Sequence, residues 1–120
     1  MEKRLRFPKS RRLTLDSEFK RVRTEGSSVC GATLTLGVLK NAESIAAARA
    51  GFITSRRVGN AVVRNRIRRR LREIFRKHQH EISSGAWIVT IASARAARET
   101  FDTLEDEWLR LAGRASILVL

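Results

Sequence analysis

One cysteine, Cys30, among 120 residues excludes an internal disulfide and any zinc site built from several thiolates. Its expected place is a small buried position in a strand. No apolar run approaches the roughly 20 residues of a membrane-spanning helix, and Met1-Glu2-Lys3-Arg4-Leu5-Arg6 leads into no long apolar segment of a secretion signal. These absences point to a soluble cytoplasmic protein. Acids are also scarce, 12 Asp and Glu against 25 Lys and Arg, and they concentrate near Asp16 and toward the C-terminus. No nucleophile, base and orienter set is visible, no glycine-rich phosphate loop, and no carboxylate cluster spaced to hold magnesium. The sequence therefore assigns no catalytic residue and no metal ligand to the protein. His78-Gln79-His80-Glu81 does not alter that, since two histidines two apart do not share a helix face; a polar helix end is the simpler account.

What is present is positive charge, and most of it lies in one stretch. Ser55 to Lys77 holds ten basic residues against Glu73 alone, so it carries +9 of the formal +13. Val63, Ile67, Leu71, Ile74 and Phe75 recur at helical spacing and define a face that packs on a core. Asn65, Arg69, Arg72 and Arg76 project from the opposite side with Arg68 beside them, while Arg66, Arg70 and Lys77 flank one edge of the apolar stripe and Arg64 the other. Asn60 is placed to cap this helix, and Gly59 lets the chain turn into it. Arg64, Arg68, Arg72 and Arg76 repel one another at i, i+4 by a few tenths of a kcal/mol per pair, roughly. An anionic partner removes that repulsion, and the planar guanidinium suits bidentate phosphate contacts. With a pI of 11.6, the expected partner is a nucleic acid.

The run Arg56-Arg57-Val58-Gly59-Asn60-Ala61-Val62-Val63-Arg64-Asn65-Arg66-Ile67-Arg68-Arg69-Arg70-Leu71-Arg72-Glu73 closely resembles the RNR motif of the bacterial ribonuclease P protein subunits. The similarity extends over nearly the whole chain: a basic N-terminal arm, a helix around Phe19, the central motif, an apolar strand Trp87 to Ala92, and a final helix through Trp108. It implies a small α+β sandwich of order α-β-β-β-α-β-α with an unusual left-handed β-α-β crossover, as in the second domain of ribosomal protein S5.

The periodicities agree with that order. Residues 1 to 12 are a basic, mobile arm with Phe7 as its anchor. Leu13 to Glu25 contains a short helix capped by Asp16 and closed by Gly26 in the left-handed conformation. Ser27 to Leu39 alternates with Leu34, Leu36 and Val38 on one side and Thr33, Thr35 and Gly37 on a half-open other side, and Gly31 can split it into two strands. Arg49 to Ser55 reads as a strand pairing antiparallel with the first. Ala86 to Ala92 reads as a strand buried on both faces, parallel to its partner across the arginine helix. Phe101, Leu104, Trp108 and Leu111 define a last helix that Gly113 closes, its outer face made acidic by Asp102, Glu105, Asp106 and Glu107. The tail from Ile117 to Leu120 either lies against the fold or extends a sheet edge.

The resemblance implies that the whole chain, 1 to 120, is one RNA-binding domain in an RNA-catalysed endoribonuclease whose RNA subunit carries the active site and its magnesium ions. No cofactor is expected on the protein itself. Arg56, Arg57, Asn60, Arg64, Asn65, Arg66, Arg68, Arg69 and Arg72 match the family motif that faces the catalytic RNA. Phe19, Arg23, Ile53 and Ser55 are candidates for a cleft that receives the single-stranded 5′ leader of precursor tRNA, where aromatic rings stack on bases. The residue four after Phe19, often aromatic in the family, is Arg23 here. One protein per RNA is expected, with no DNA and no membrane as partner. Among alternatives, a ribosomal or other structural RNA-binding protein shares the charge. A helix-turn-helix DNA binder lacks its short partner helix, and a membrane-surface helix needs the apolar face that the core takes.

Overall fold

The computed structural model describes residues 7–41 and 44–119. The elements run α1 (Asp16–Glu25), β1 (Ser27–Cys30), β2 (Leu34–Leu39), β3 (Arg49–Thr54), α2 (Ala61–His78), β4 (Trp87–Ala92) and α3 (Phe101–Arg114), an α+β chain in the expected order. The strands form one mixed sheet of order β1-β2-β4-β3.

The apolar stripe of α2 works as its spacing predicts. Ile67, Leu71, Ile74 and Phe75 have no exposed surface. Each such side chain contributes about 1.5 to 3 kcal/mol by leaving water. They pack on the inner face of the sheet with Leu34, Leu36 and Val38 of β2, Ala50 of β3 and Ile88 of β4, and with Leu104, Trp108 and Leu111 of α3. Trp108 is a core residue whose indole N–H donates to Thr90 Oγ1 at 3.0 Å, both groups fully buried. On the other face, α1 builds a smaller cluster of Leu13, Val22 and Val89, bordered by Phe19, Leu39 and Trp87. Because α1 is only 10 residues long, part of that face stays open.

Strand order departs from the expectation that β3 pairs antiparallel with the first strands. β4 lies between them, antiparallel to β2 with Leu36 opposite Thr90, and parallel to β3 with Phe52 opposite Thr90. The reason is in β4 itself: a strand apolar on both faces is most stable in the middle of the sheet, with both edges paired; it is not buried throughout as expected, since Ile91 is exposed where α1 stops short of covering its face. β1 and β2 form a hairpin broken at Gly31, as expected, and β1 is left as an edge. Cys30 at the end of that edge is exposed rather than buried.

Local caps also differ from the simplest reading. Leu15, not Asp16, is the N-cap of α1, and Glu18 supplies the missing acceptor, its Oε1 taking the Thr14 and Leu15 N–H groups at 3.0 Å each. Gly26 is extended (φ −94°, ψ −169°), not left-handed. Its need for glycine is steric, since a Cβ there would stand 2.3 Å from the Val38 carbonyl oxygen. Helix α3 runs through Gly113 to Arg114, and Ser116, at φ 59°, makes the turn instead. Ile117 then buries completely and Leu118 bridges to Ile82, so residues 117–119 lie against the fold. Glu107 turns inward from α3, away from the acidic outer face expected for it. Its carboxylate accepts from Ala32 N at 2.9 Å, Thr33 N at 3.1 Å and Thr33 Oγ1 at 2.6 Å, tying the β1–β2 turn to the helix.

The arm expected over 1–12 divides in two. Residues 1–6 lie outside the described residues, whereas 7–12 are docked along the outer edge of β3. Arg12 bridges to Ala50, Leu13 N–H donates to Ala50 O at 2.9 Å, and Arg11 Nε–H donates to Ala48 O at 3.1 Å. Phe7 anchors the segment edge-on against Phe52 and Phe75, with centroids 5.9 and 5.3 Å away.

Candidate nucleic-acid interface

The end of β3 delivers the chain into the arginine segment. Ser55 is extended and exposed, and a short turn, Arg56–Val58, buries Val58 while leaving Arg56 and Arg57 in solvent. Gly59, at φ 151°, takes a backbone conformation that side chains disfavour; a Cβ there would also press on Val63 at 2.9 Å. Asn60 then caps α2, its side-chain oxygen accepting from Val63 N–H at 3.0 Å.

Not all guanidiniums on α2 are equivalent. Arg66 donates to Ala97 O at 3.3 Å and Arg70 to Glu99 O at 2.9 Å, so these two clamp the Ala94–Arg98 turn onto the helix. Arg76 pairs with Glu73, the one acid of the stretch, at 2.5 Å. Lys77 and His78 both reach Glu105 of α3, and His78 also meets Glu81. The charges at the C-terminal end of α2 are thus answered by carboxylates. Toward its middle and N-terminal end they are not. Arg68 is oriented by Thr54 Oγ1 at 2.8 Å and Asn65 Oδ1 at 3.3 Å, both neutral acceptors. Arg69 and Arg72 are exposed, and Arg64 keeps a buried Nε with no hydrogen-bond partner among the described residues. Arg56, Arg57, Asn60, Arg64, Asn65, Arg66, Arg68, Arg69 and Arg72 therefore lie along one helix and the turn leading into it. Asn65 holds an arginine through its oxygen, which leaves its amide N–H groups for another acceptor.

The second feature is a groove of about 650 Å³ on the opposite face of the sheet, where α1 leaves it uncovered. Phe19, Lys20, Arg23 and Asp16 line it from the helix, and Ser28, Thr35, Gly37, Ile53, Val89 and Ile91 from the sheet side. Its floor is apolar and its rim polar. Three of the four leader candidates, Phe19, Arg23 and Ile53, meet in it; Ser55 lies beyond its end and does not line it. Ile53 and Ile91 remain 38% and 39% exposed, which makes the floor accessible. Sequence reasoning did not assign Lys20, Ser28, Thr35 or Ile91 to a site. The polar alternation of Thr35 and Gly37 on β2 was the available signal, but which helix borders that face depends on the strand order.

Two further arrangements support the site without forming it. Glu18, buried in the first turn of α1, pairs with Arg49 at 2.6 Å, while Arg49 also donates to Arg12 O at 2.7 Å and lies 5.2 Å from the Trp87 centroid. Burial pushes the Glu18 carboxyl up, but the Leu15 and Thr14 N–H groups and Arg49 more than offset this and hold it below the usual carboxylate range. Among the described residues, no group of three or more His, Cys, Asp or Glu is arranged to hold a metal ion, and no helix is long and apolar enough to cross a membrane.

A mixed sheet crossed by an arginine-rich helix on one face and opened as a groove on the other defines a class of small basic α+β proteins. The family model described as Ribonuclease P matches residues 7–116. The ribonuclease P protein component of Acidothermus cellulolyticus is 39% identical over 108 residues, covering 90% of each chain. That of Syntrophomonas wolfei is 31% identical over 109 residues, 91% of this chain and 90% of the relative. The solved RNase P protein of Staphylococcus aureus superposes with a TM-score of 0.83 at 29% identity, over 92% of this chain and 99% of that one. The Thermotoga maritima RNase P protein gives 0.77 at 31%, over 86% and 96%. The chain belongs to the ribonuclease P protein family.

Proposed function

We propose that the chain acts as the protein subunit of ribonuclease P in the cytoplasm, binding a catalytic RNA and the 5′ leader of precursor tRNA so that the RNA removes the leader and makes the mature tRNA 5′ end. The observation that carries this reading is the junction of the two surfaces on β3. Ile53 faces the groove while its neighbour Thr54, on the other face, accepts from Arg68 of the arginine helix. One strand therefore carries, on opposite faces, a contact to the cationic helix and the floor of an open apolar groove. The exposed guanidiniums, with Asn60 and Asn65 among them, would take phosphates of the catalytic RNA and screen its repulsion from the substrate. In the groove, Phe19 would stack on an unpaired base, and Arg23, where the family often has a second aromatic, would contact the leader backbone instead. Ser55 would meet the leader only where it leaves the groove toward α2.

Under this reading the protein contributes affinity and position, and the chemistry belongs to the RNA and its magnesium ions. One protein per RNA suffices, because the two surfaces occupy opposite faces of one sheet. The test is 5′ processing of a precursor tRNA at low magnesium by a bacterial ribonuclease P RNA, with the protein, without it, and with the protein alone. Cleavage is expected only when both components are present. Cleavage by the protein alone would refute the assignment of catalysis to the RNA. Failure to stimulate RNAs from several related bacteria would favour a structural RNA-binding role instead.

A further inference from the structure

The arginine helix is not the only element that contributes cations to its own face. Arg12, from the segment docked on the edge of β3, donates its Nε–H to Phe7 O at 3.0 Å and lays its guanidinium 5.1 Å from the Phe7 ring centroid. Phe7 in turn touches Phe75 at 5.3 Å, and Phe75 stands one helical turn after Arg72. The Arg12 guanidinium therefore stands over a ring that packs on α2 one turn beyond Arg72, with Arg68 one turn back along α2 and fixed by Thr54. The electrostatics agree: burial first, and then the charges of Arg12 and Arg68, hold the Arg72 guanidinium below its ordinary value. Three other held cations are matched by acids, Arg49 with Glu18, Arg76 with Glu73 and Lys77 with Glu105. Arg12, Arg68 and Arg72 have no carboxylate partner among the described residues.

We propose that Arg12, Arg68 and Arg72 form a binding site for one phosphate of the catalytic RNA backbone, with Arg12 supplied from outside the arginine helix. This rests on the reading of the chain as a ribonuclease P subunit. Arg12 is pre-positioned by the Phe7 ring and carbonyl, and Arg68 by the neutral acceptors Thr54 and Asn65; with the exposed Arg72 they repel one another until an anion arrives, and guanidinium donors suit a phosphate's oxygens. The site lies on the α2 side of the sheet, away from the groove, so the ligand is the catalytic RNA and not the leader.

The experiment is binding of the full chain to in-vitro-transcribed bacterial ribonuclease P RNA across a salt series, comparing wild type with Arg12→Ala, Arg72→Ala, Arg57→Ala and the Arg12/Arg72 and Arg12/Arg57 double variants. Arg12→Met, which keeps the aliphatic stem over Phe7, replaces Arg12→Ala if thermal melting shows that the alanine variant is unfolded. Loss of Arg12 is expected to weaken binding about 3- to 10-fold and to flatten the log–log salt slope by up to about 0.7. Arg12→Lys should retain the slope. The Arg12/Arg72 double variant should lose less than the product of its single losses, because both serve one phosphate, whereas Arg12 and Arg57 should multiply. Unchanged affinity and slope in folded Arg12→Ala or Arg12→Met, or simple multiplication for Arg12 with Arg72, would overturn the shared site alone. Wild-type protein that does not bind the RNA would overturn the functional reading, and this site with it.

Discussion

Glu18 shows how much one side chain can organise. It completes the first turn of α1, pairs with Arg49, and through Arg49 Nη2 reaches the Arg12 carbonyl, so α1, β3 and the docked N-terminal segment share one carboxylate. Its folded acidity is stronger than that of the unfolded chain, so its stabilisation is fully present above the unfolded value of about 4.3 and is lost as pH falls through the lower folded value. Glu18→Gln should therefore cost about 1 to 3 kcal/mol in urea unfolding at pH 7. The difference from wild type should shrink as the pH is lowered below about 4. A constant difference from pH 7 to pH 3 would assign the effect to shape and not to charge. The sequence places Glu18 in a helix and says nothing of this, because Arg49 lies 31 residues away. Glu107 is the same case: a helix rich in acids reads as solvated, and only the tertiary fold reveals that one of them caps a distant turn. Exposure of Cys30 was likewise hidden, since period-two alternation does not reveal which strand is the edge.

At the level of the element, α2 combines two sets of residues with separable consequences. Leu71 is fully buried and Arg69 exposed, two positions apart on the same helix. Leu71→Ala should lower stability by about 2 to 5 kcal/mol, since it removes buried methyl groups and leaves a cavity. Arg69→Ala should leave stability within about 0.5 kcal/mol of wild type while weakening RNA binding and its salt dependence. Thermal melting and salt-titrated binding on the same two variants check both halves; an Arg69 variant that melts early yet binds normally would reverse the assignment. This helix was the most legible part of the chain, because a 3.6-residue period and an asparagine cap are local signals. Strand order was not legible from β3, whose alternation states which residues are buried but not which strand lies alongside. The apolar run of β4 did hold the answer, as only a central strand needs both faces apolar. The difference between Arg66 and Arg70, which clamp the 94–98 turn, and Arg69 and Arg72, which do not reach it, also required the tertiary structure.

For the molecule as a whole, the proposed function has the sheet separate two kinds of recognition, and this separation is itself testable. On that proposal charge on the α2 face would act through many phosphates at once, so a double change such as Arg64→Ala with Arg68→Ala should weaken binding to catalytic RNA and flatten its salt slope by about 0.7 for each phosphate no longer neutralised. The groove would depend instead on Phe19, whose ring lies against Gly51, where even a Cβ would stand 2.6 Å from it. That close packing fixes the ring at the groove wall and limits its freedom before any base arrives, so stacking there sacrifices little entropy. Phe19→Ala should accordingly reduce binding to precursor tRNA in the assembled complex by about 1 to 3 kcal/mol, with little change for mature tRNA and none in the salt slope for catalytic RNA. Because Phe19 also borders the Leu13, Val22 and Val89 cluster, Phe19→Leu is the companion variant: it keeps apolar packing but has no aromatic face. Selective loss of precursor binding in both variants identifies the ring as the group that meets the leader. Equal losses for precursor and mature tRNA would leave Phe19 as a packing residue and remove the leader from the groove.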